Sequence, residues 1–514
     1  MKVFVLICAF ISWCDGARIL GIIPMPSFSH QIPFRPIWRE LSLRGHQVTV
    51  LTTDPMRDPQ LTNLTEIDLG FSYEVLKKHG FPDFAADDSL SFRQIGKKFA
   101  LMINELSAGQ LSSPQVKQLI GDESIEFDLL VVEAQIPIYM GFAWRFNCPS
   151  VGIASLDANL NFHDSIGNPT HPVLNPDPNL PIVDPDNMTF KERLASFLYI
   201  YIYKYLTYNK YYPLEDGRFK KFFGDDAPTL LEVQNNISFV MVSTNPIFHS
   251  TRAANPNTIF IGNGLHIGPP KPLPTDLQEY LDSSKNGVIY FSLGSNVKGH
   301  LLNDTIKRNI LQAFSELPYN VLMKMDTDLK DVPKNVKIQK WLPQQDVLRH
   351  PNIKLFISQG GLQSLQESIT NGIPLVGIPF FGDQISNVYR MVKKGYGVRV
   401  DKNEITKENF KQAILEVLNN PRYREKAKEM GELLHDEPMT SLEKAVWWIE
   451  YVIRHKGAKH LRSPAVDMPA WKYYMLDVIG SVLGALFIVL FLSYKILKCV
   501  ISKLLFGKPK AKKD

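Results

Sequence analysis

The chain has 514 residues, 45% hydrophobic and 21% charged, a globular composition that excludes wholesale disorder. Its net charge of +5 sits at one end: residues 495–514 hold seven Lys and one Asp, so the remainder sums to −1 and no nucleic-acid-binding surface is expected. Of four Cys, only Cys148 lies outside the apolar start (Cys8, Cys14) and the basic end (Cys499), which excludes an intramolecular disulfide framework and, with no Cys/His cluster, a structural zinc site.

Lys2, the apolar run Val3–Trp13 and Cys14-Asp15-Gly16-Ala17 read as a signal peptide over 1–16. Met475–Tyr494 is twenty residues long with one charge, Asp477, between Trp471, Tyr473 and Tyr474 on one side and Lys495 and Lys498 on the other. That length spans a hydrocarbon core of about 30 Å, and the flanks suit its two interfaces. The Lys-rich tail 495–514 is then cytosolic, and the signal peptide places 17–470 in the lumen, so both ends give a single-pass type I topology. Lys510 and Lys512 stand fifth and third from the end, which resembles a dilysine retrieval signal of the endoplasmic reticulum; the alternative is polybasic contact with anionic lipid. Sequons at Asn63, Asn187, Asn236 and Asn303 are glycosylation candidates.

Between the ends, apolar β-type runs alternate with helical stretches. Strands are expected over 18–24, 47–52, 127–133 and 150–154, a helix over 32–44 ended by Gly45, a Pro-rich loop over 160–190, and a long aromatic helix over 191–212. A second series gives strands over 288–293, 320–324, 353–358 and 374–378 and helices over 305–317, 362–371 and 384–394. Gly262–Pro274, with four Pro, reads as a stiff linker. The expected organisation is a first α/β domain over 17–265, a linker over 266–286, a second α/β domain over 287–440, helices returning to the first domain over 441–474, a transmembrane helix over 475–494 and the tail. Two doubly wound sheets facing a cleft would bind ligands at the carboxyl ends of their strands.

Gln359-Gly360-Gly361 stands between a strand and a helix, where paired Gly and a helix N-terminus favour an anion such as a diphosphate. Asp383-Gln384, after the next strand, offers a carboxylate and an amide for sugar hydroxyls. The segment 341–384 as a whole resembles the signature of the UDP-glycosyltransferases, the membrane-bound detoxification family of animals, in its arthropod-like form. The matching features are Trp341-x-Pro343-Gln344, Phe356–Gly361, Glu367, Pro374, Pro379 and Asp383-Gln384, with Ser292–Ser295, Arg44–Val50 and Gly264-Leu265-His266 elsewhere. The resemblance runs from signal peptide to tail. It implies a GT-B fold: two Rossmann-like domains, the C-terminal one for the UDP-sugar and the N-terminal one for a lipophilic acceptor. It further implies that Trp341 stacks on uracil, Gln344 contacts the nucleoside and Glu367 holds the ribose. Ser295, Gln359 and Gly361 would meet the diphosphate, and Asp383 and Gln384 would read the hexose. Gln359 is a departure, since many relatives carry His there; Gln363, where vertebrate relatives often have Asn, is another polar donor.

Sugar transfer from UDP to a hydroxyl needs a base for the acceptor proton and stabilisation of the leaving diphosphate. His30, between the first strand and the first helix in the loop after Pro26, is the expected base on the family match. Glu133, ending strand 127–133, is its expected orienting carboxylate. The family usually has Asp there, and Asp157 is the substitute. His46, on the far edge, reads as structural. No Asp-x-Asp pair is assigned to a strand end, so metal independence is expected, with no cofactor beyond the co-substrate. Vertebrate glucuronosyl relatives use an Arg near the position of Val242–Pro246; that stretch has no base here, which favours UDP-glucose over UDP-glucuronate. Acceptor contacts are expected within 80–125 and 155–215, for a phenol, terpenoid or other xenobiotic. Homo-oligomerisation is open. Two other readings compete. A catalytically weak, membrane-tethered binding protein would follow from the departures at Glu133 and Gln359. An epimerase would turn over the donor without an acceptor.

Overall fold

The computed structural model describes residues 16–506 apart from 178, 179, 181, 183, 250 and 298. The signal-peptide reading, apart from Gly16, and the dilysine reading lie outside the described residues.

The first sheet is built from β1 (Arg18–Ile23), β2 (Gln47–Thr52), β3 (Leu64–Asp68), β4 (Leu129–Glu133), β5 (Ser150–Ala154), β6 (Val240–Val242) and β7 (Thr258–Phe260). Its strand order is β3-β2-β1-β4-β5-β6-β7, with every pairing parallel. The second sheet contains β8 (Val288–Ser292), β9 (Asn320–Lys324), β10 (Val336–Gln339), β11 (Ile353–Ser358), β12 (Leu375–Gly377) and β13 (Gly397–Arg399). Its order is β10-β9-β8-β11-β12-β13, again all parallel. β4, β5 and β8 are buried at every residue, because helices cover both faces of a parallel sheet; this is why they appear as unbroken apolar runs.

Each strand order reverses once, between β1 and β4 in the first sheet and between β8 and β11 in the second. The segments leaving such a pair diverge to opposite faces, and the crevice between them is where α/β sheets bind ligands. His30 and Glu133 follow and end the first pair; Gly294-Ser295 and Gln359–Gly361 follow the second.

The helix expected over 32–44 begins earlier and in pieces. A turn of α-helix spans Phe28–Gln31, a 3-10 turn Ile32–Phe34, and the main helix Arg35–Leu43. Pro33 and Pro36 lack the N–H donors a continuous ladder would need. His30 thus sits on a helical turn, not in a loop. The long helix expected over 191–212 is Phe190–Leu206, followed by a π-helical turn at Thr207–Tyr211 and a further helix Tyr212–Phe223. The linker stretch holds a helix, Thr275–Ser283, whose Leu277 and Leu281 join the core of the second sheet.

The helix Ser441–His455 packs on the first sheet: Ala445, Val446, Ile449 and Val452 share a core with Ile19, Ile37, Trp38 and Leu41. Residues Ser463–Asp514 form a separate unit. Its helix runs Leu476–Phe506; within Leu476–Leu505 an 18-residue window has mean hydropathy 2.3, so the helix is long and apolar enough to cross a membrane. It continues past residue 494, where the tail was expected to start, because Lys495, Lys498 and Lys503 are good helix formers.

Candidate active site

The turn that carries His30 is fixed by Gln31. The buried Gln31 amide donates to the carbonyls of Ile23 (3.0 Å) and Met25 (2.9 Å) and to Thr53 Oγ1 (3.0 Å), and accepts from Thr52 Oγ1 (2.7 Å). These bonds tie the turn to the ends of β1 and β2. His30 Nδ1 then lies 2.5 Å from Oε1 of Glu133, at the end of the neighbouring β4, with Ser155 Oγ at 3.4 Å from the same nitrogen. Glu133 is wholly buried and His30 17% exposed. With Nδ1–H donated to the carboxylate, Nε2 keeps a lone pair and can accept a proton. Glu133 Oε2 has no hydrogen-bond partner among the described residues.

Burial alone would lower the His30 pKa. The charge and hydrogen bond of Glu133, with the charge of Asp383, outweigh it and hold the imidazole above its ordinary value. Asp383 moves the same way: burial raises its carboxyl, against the hydrogen bond from Asn387 Nδ2 (2.7 Å) and the charge of His30. The expected base and the expected hexose-reading carboxylate therefore lie within electrostatic reach of each other, although they come from different sheets.

The diphosphate candidates meet at the second crevice. Gly294 has φ +76°, which favours glycine, and a Cβ there would lie 2.1 Å from Gln359 Nε2 and displace that amide. Gln359 Oε1 accepts from Ser358 Oγ (3.1 Å). Lys324, the last residue of β9, donates to the Gly294 carbonyl (3.1 Å), and its Nζ lies 4.3 Å from the Trp341 ring centroid. Trp341 is 57% exposed and also meets Phe28, from the first half of the chain, edge-on at 5.3 Å. Lys324 was not singled out in the sequence; the signal was a lone cation closing an apolar strand beside β8.

Glu367 is engaged on both oxygens. Oε2 accepts from Gln344 Nε2 (2.7 Å), and Oε1 from His266 Nε2 (3.1 Å) and Gln345 Nε2 (3.2 Å). Gln344 is held further by Ser364 Oγ (3.0 Å) and the Tyr290 hydroxyl (3.2 Å). A carboxylate has about four acceptor positions, so this ring of amides orients Glu367 without exhausting it. Gln363 Nε2 donates across the crevice to the carbonyl of Ser29 (3.2 Å), the residue before His30. Gln384 turns its oxygen to the backbone N–H groups of Phe380 (2.9 Å) and Phe381 (3.3 Å), leaving its NH2 for a ligand.

A cavity of about 1340 Å³ is lined by Ser295, Lys324, Trp341, Gln344, Gln359, Gly361, Gln363 and Glu367, with Phe28, Ser29 and Arg35 opposite. His30, Glu133, Asp383 and Gln384 are not part of its lining, although His30 directly follows the lining residue Ser29.

Other candidates fall elsewhere. Asp157 is not the partner of His30: its carboxylate accepts from His163 Nε2 and pairs with Arg252 Nη2, both at 2.9 Å. Burial would raise its carboxyl, but the hydrogen bond from His163 and the Arg252 charge hold it far below the usual carboxylate range. Val242–Pro246 has no base, but Arg252 follows six residues on, already neutralised by Asp157. His46 accepts from the backbone N–H of Ala17 (3.1 Å), a structural bond. Asp326-Thr327-Asp328 does stand just past β9, contrary to the expectation of no such pair; Asp326 accepts from the backbone of Gly299 (2.8 Å). Among the described residues no group of three or more potential metal-ligating side chains forms. Within 80–125 and 155–215, Phe84, Met102, Leu106, Phe162 and Tyr212 are core. Asn187, Asn236 and Asn303 are exposed, Asn303 also capping the helix Asp304–Ser315; Asn63 is half-buried on β3's approach.

Residues 18–511 match the family described as UDP-glucoronosyl and UDP-glucosyl transferase. UDP-glucosyltransferase 2 of Dactylopius coccus is 33% identical over 94% of this chain and 93% of its own length. UDP-glucuronosyltransferase 2B7 of Homo sapiens is 31% identical over 94% of each. Among solved structures, the calicheamicin glycosyltransferase CalG4 superposes with a TM-score of 0.54 at 18% identity, covering 85% of this chain and 98% of that one. The kitacinnamycin glycotransferase gives 0.55 at 17%, covering 85% and 99%. These last two show the fold, which is GT-B, and the sequence matches show that the chain belongs to the UDP-glycosyltransferase family.

Proposed function

We propose that this UDP-glycosyltransferase moves glucose from UDP-glucose to the hydroxyl of a small lipophilic acceptor, with inversion and without a metal. The observation that carries the reading is the His30–Glu133 pair at 2.5 Å, placed where the first strand order reverses and facing Asp383 of the other domain. His30 Nε2 takes the acceptor proton as the acceptor oxygen bonds to the anomeric carbon. The bond from that carbon to the diphosphate oxygen breaks in the same displacement, UDP leaves, and the proton passes from His30 to solvent. Glu133 stabilises the imidazolium that forms. Lys324, Ser295 and the Gln359–Gly361 turn neutralise and hydrogen-bond the leaving diphosphate, Trp341 stacks on the base, and Glu367 grips the ribose. Asp383 and the Gln384 amide orient the hexose.

Glucose is favoured over glucuronate because Val242–Pro246 has no base and Arg252 is already paired with Asp157. The apolar C-terminal helix and the terminal Lys residues support a type I protein of the endoplasmic reticulum membrane, with both domains lumenal. The test is the stereochemistry of the product: UDP-α-glucose and a simple phenol should give the β-glucoside by NMR, and His30→Ala should abolish it. An α-glucoside, or a β-glucoside still formed by His30→Ala, would overturn the mechanism.

A further inference from the structure

The segment 81–88 follows the helix Tyr73–His79 of the first domain and reaches across to the second. Phe84 is buried in the first core, and Phe81 packs against the same core. The polar groups of the segment point the other way. Asp88 accepts from Lys402 Nζ (3.2 Å) and Asn403 Nδ2 (2.9 Å), and Lys402 also donates to the Ala86 carbonyl (3.0 Å). Asp83 accepts from His300 Nε2 (2.6 Å), and the Phe81 ring meets Phe381 edge-on at 6.3 Å. His300, Phe381 and Lys402 stand in the loops that follow β8, β12 and β13, at the carboxyl edge where such sheets bind ligands.

Lys402 is the centre of this contact. Its side chain is 13% exposed, against 64% for Asp88, so its bonds to the segment are the least open to water; the Asp83–His300 pair is exposed on both sides and contributes little. The polarity is one-sided, with acids from the first domain and cations from the second, and it recurs where Lys393 pairs with Asp186 (2.5 Å). Complementary charge of this kind fixes the register of two surfaces. Phe381 donates its backbone N–H to Gln384 Oε1 (3.3 Å), the amide assigned to the hexose, and Asp383 follows two residues on. Neither the segment nor its partners line the cavity that collects the nucleoside and diphosphate candidates. The segment therefore touches the hexose end of the site and leaves the nucleotide end alone.

We propose that residues 81–88 form a strap that shuts water out of the hexose end of the cleft, with Lys402 as the positioning residue that holds it down. The inference rests on the glucosyl-transfer reading above. With the strap lifted, water takes the place of the acceptor. Its oxygen bonds to the anomeric carbon, the bond from that carbon to the diphosphate oxygen breaks, His30 accepts the water proton, and glucose and UDP leave. A held strap keeps the donor for the acceptor.

The test compares the full chain in detergent with its Lys402→Met and Asp88→Asn variants. Three quantities are read: UDP release from UDP-glucose with and without a simple phenol, UDP affinity by titration, and amide hydrogen exchange over 81–88. In both variants the ratio of phenol-independent to phenol-dependent release should rise by about two- to fivefold, the segment should exchange faster, and UDP affinity should stay at the parent value. The double reversal Asp88→Lys with Lys402→Asp should return the ratio toward the parent, relative to either single reversal. A loss of UDP affinity with no rise in the ratio would make Lys402 a general structural residue and overturn the proposal. An unchanged ratio would overturn it too, whether or not exchange quickens, while phenol-dependent release by the parent would leave the glucosyl-transfer reading standing. A parent chain with no phenol-dependent release would remove that reading and the strap with it.

Discussion

Replacing Glu133 by Gln keeps the shape beside His30 and removes the charge. The carboxylate is wholly buried and 2.5 Å from Nδ1, so water does not screen the interaction. A hydrogen bond to a charged group contributes about 1.5–3 kcal/mol. If that stabilisation develops as the imidazolium forms, its loss lowers kcat/KM by about 10- to 150-fold at 1.36 kcal/mol per decade. The pH profile carries an independent signature. His30 must be neutral to accept a proton, and its pKa is held above the ordinary value of about 6.5, so the acid limb of kcat/KM should lie above that pH in the parent enzyme. Without Glu133, burial dominates and the His30 pKa falls, so the limb moves to lower pH and the deficit narrows as pH is lowered. The assay is UDP release at saturating donor across the pH range. An unmoved limb with kcat/KM near the parent value would refute the assignment of Glu133 as the orienting carboxylate.

If Lys324 neutralises the leaving diphosphate as proposed, Lys324→Met deletes one charge-assisted contact and should raise KM for the UDP-sugar by about tenfold or more, with little change in fold; isothermal titration with UDP checks it. Gly294→Ala should weaken UDP binding in the same titration while circular dichroism stays native: its Cβ would displace the Gln359 amide, and its φ of +76° disfavours any side chain. Gln363→Ala removes one neutral hydrogen bond to the carbonyl before His30, so kcat/KM should fall by about two- to tenfold, measured as UDP release. Asp157→Asn should leave the acid limb of the pH profile in place, because Asp157 serves His163 and Arg252 rather than His30.

The central strands were legible because their mostly buried residues form short, largely apolar runs: β2, β5, β9 and β11 start and stop where expected. β6, β7 and β13 span three residues each, as does β12, which was legible from the apolar run 374–378, and β3 (Leu64–Asp68) and β10 (Val336–Gln339) are edge strands whose half-exposed sequences look like loops. The helical turn under His30 was hidden by Pro33 and Pro36, which mark breaks in sequence but here only divide the helix into pieces. In the site, His30 and Glu133 are brought together as the resemblance implied. Periodicity alone could not pair them: their contact depends on β1 and β4 being neighbours across 103 positions of chain. Lys324 and Gln345 were hidden for the same reason, since a Lys at a strand end and a Gln on a helix are ordinary surface residues until the sheet order places them. The apolar C-terminal helix was found by hydropathy, but its end was not, because Lys stops an apolar run without stopping a helix.

The most direct measurement is acceptor-dependent UDP release from membranes containing the chain, given UDP-glucose or UDP-glucuronate and a panel of simple phenols, with EDTA present. The account predicts release from UDP-glucose that requires a phenol, survives EDTA and disappears in His30→Ala. Release from UDP-glucuronate alone, release abolished by EDTA, or no release with either donor from protein that still binds UDP would contradict it.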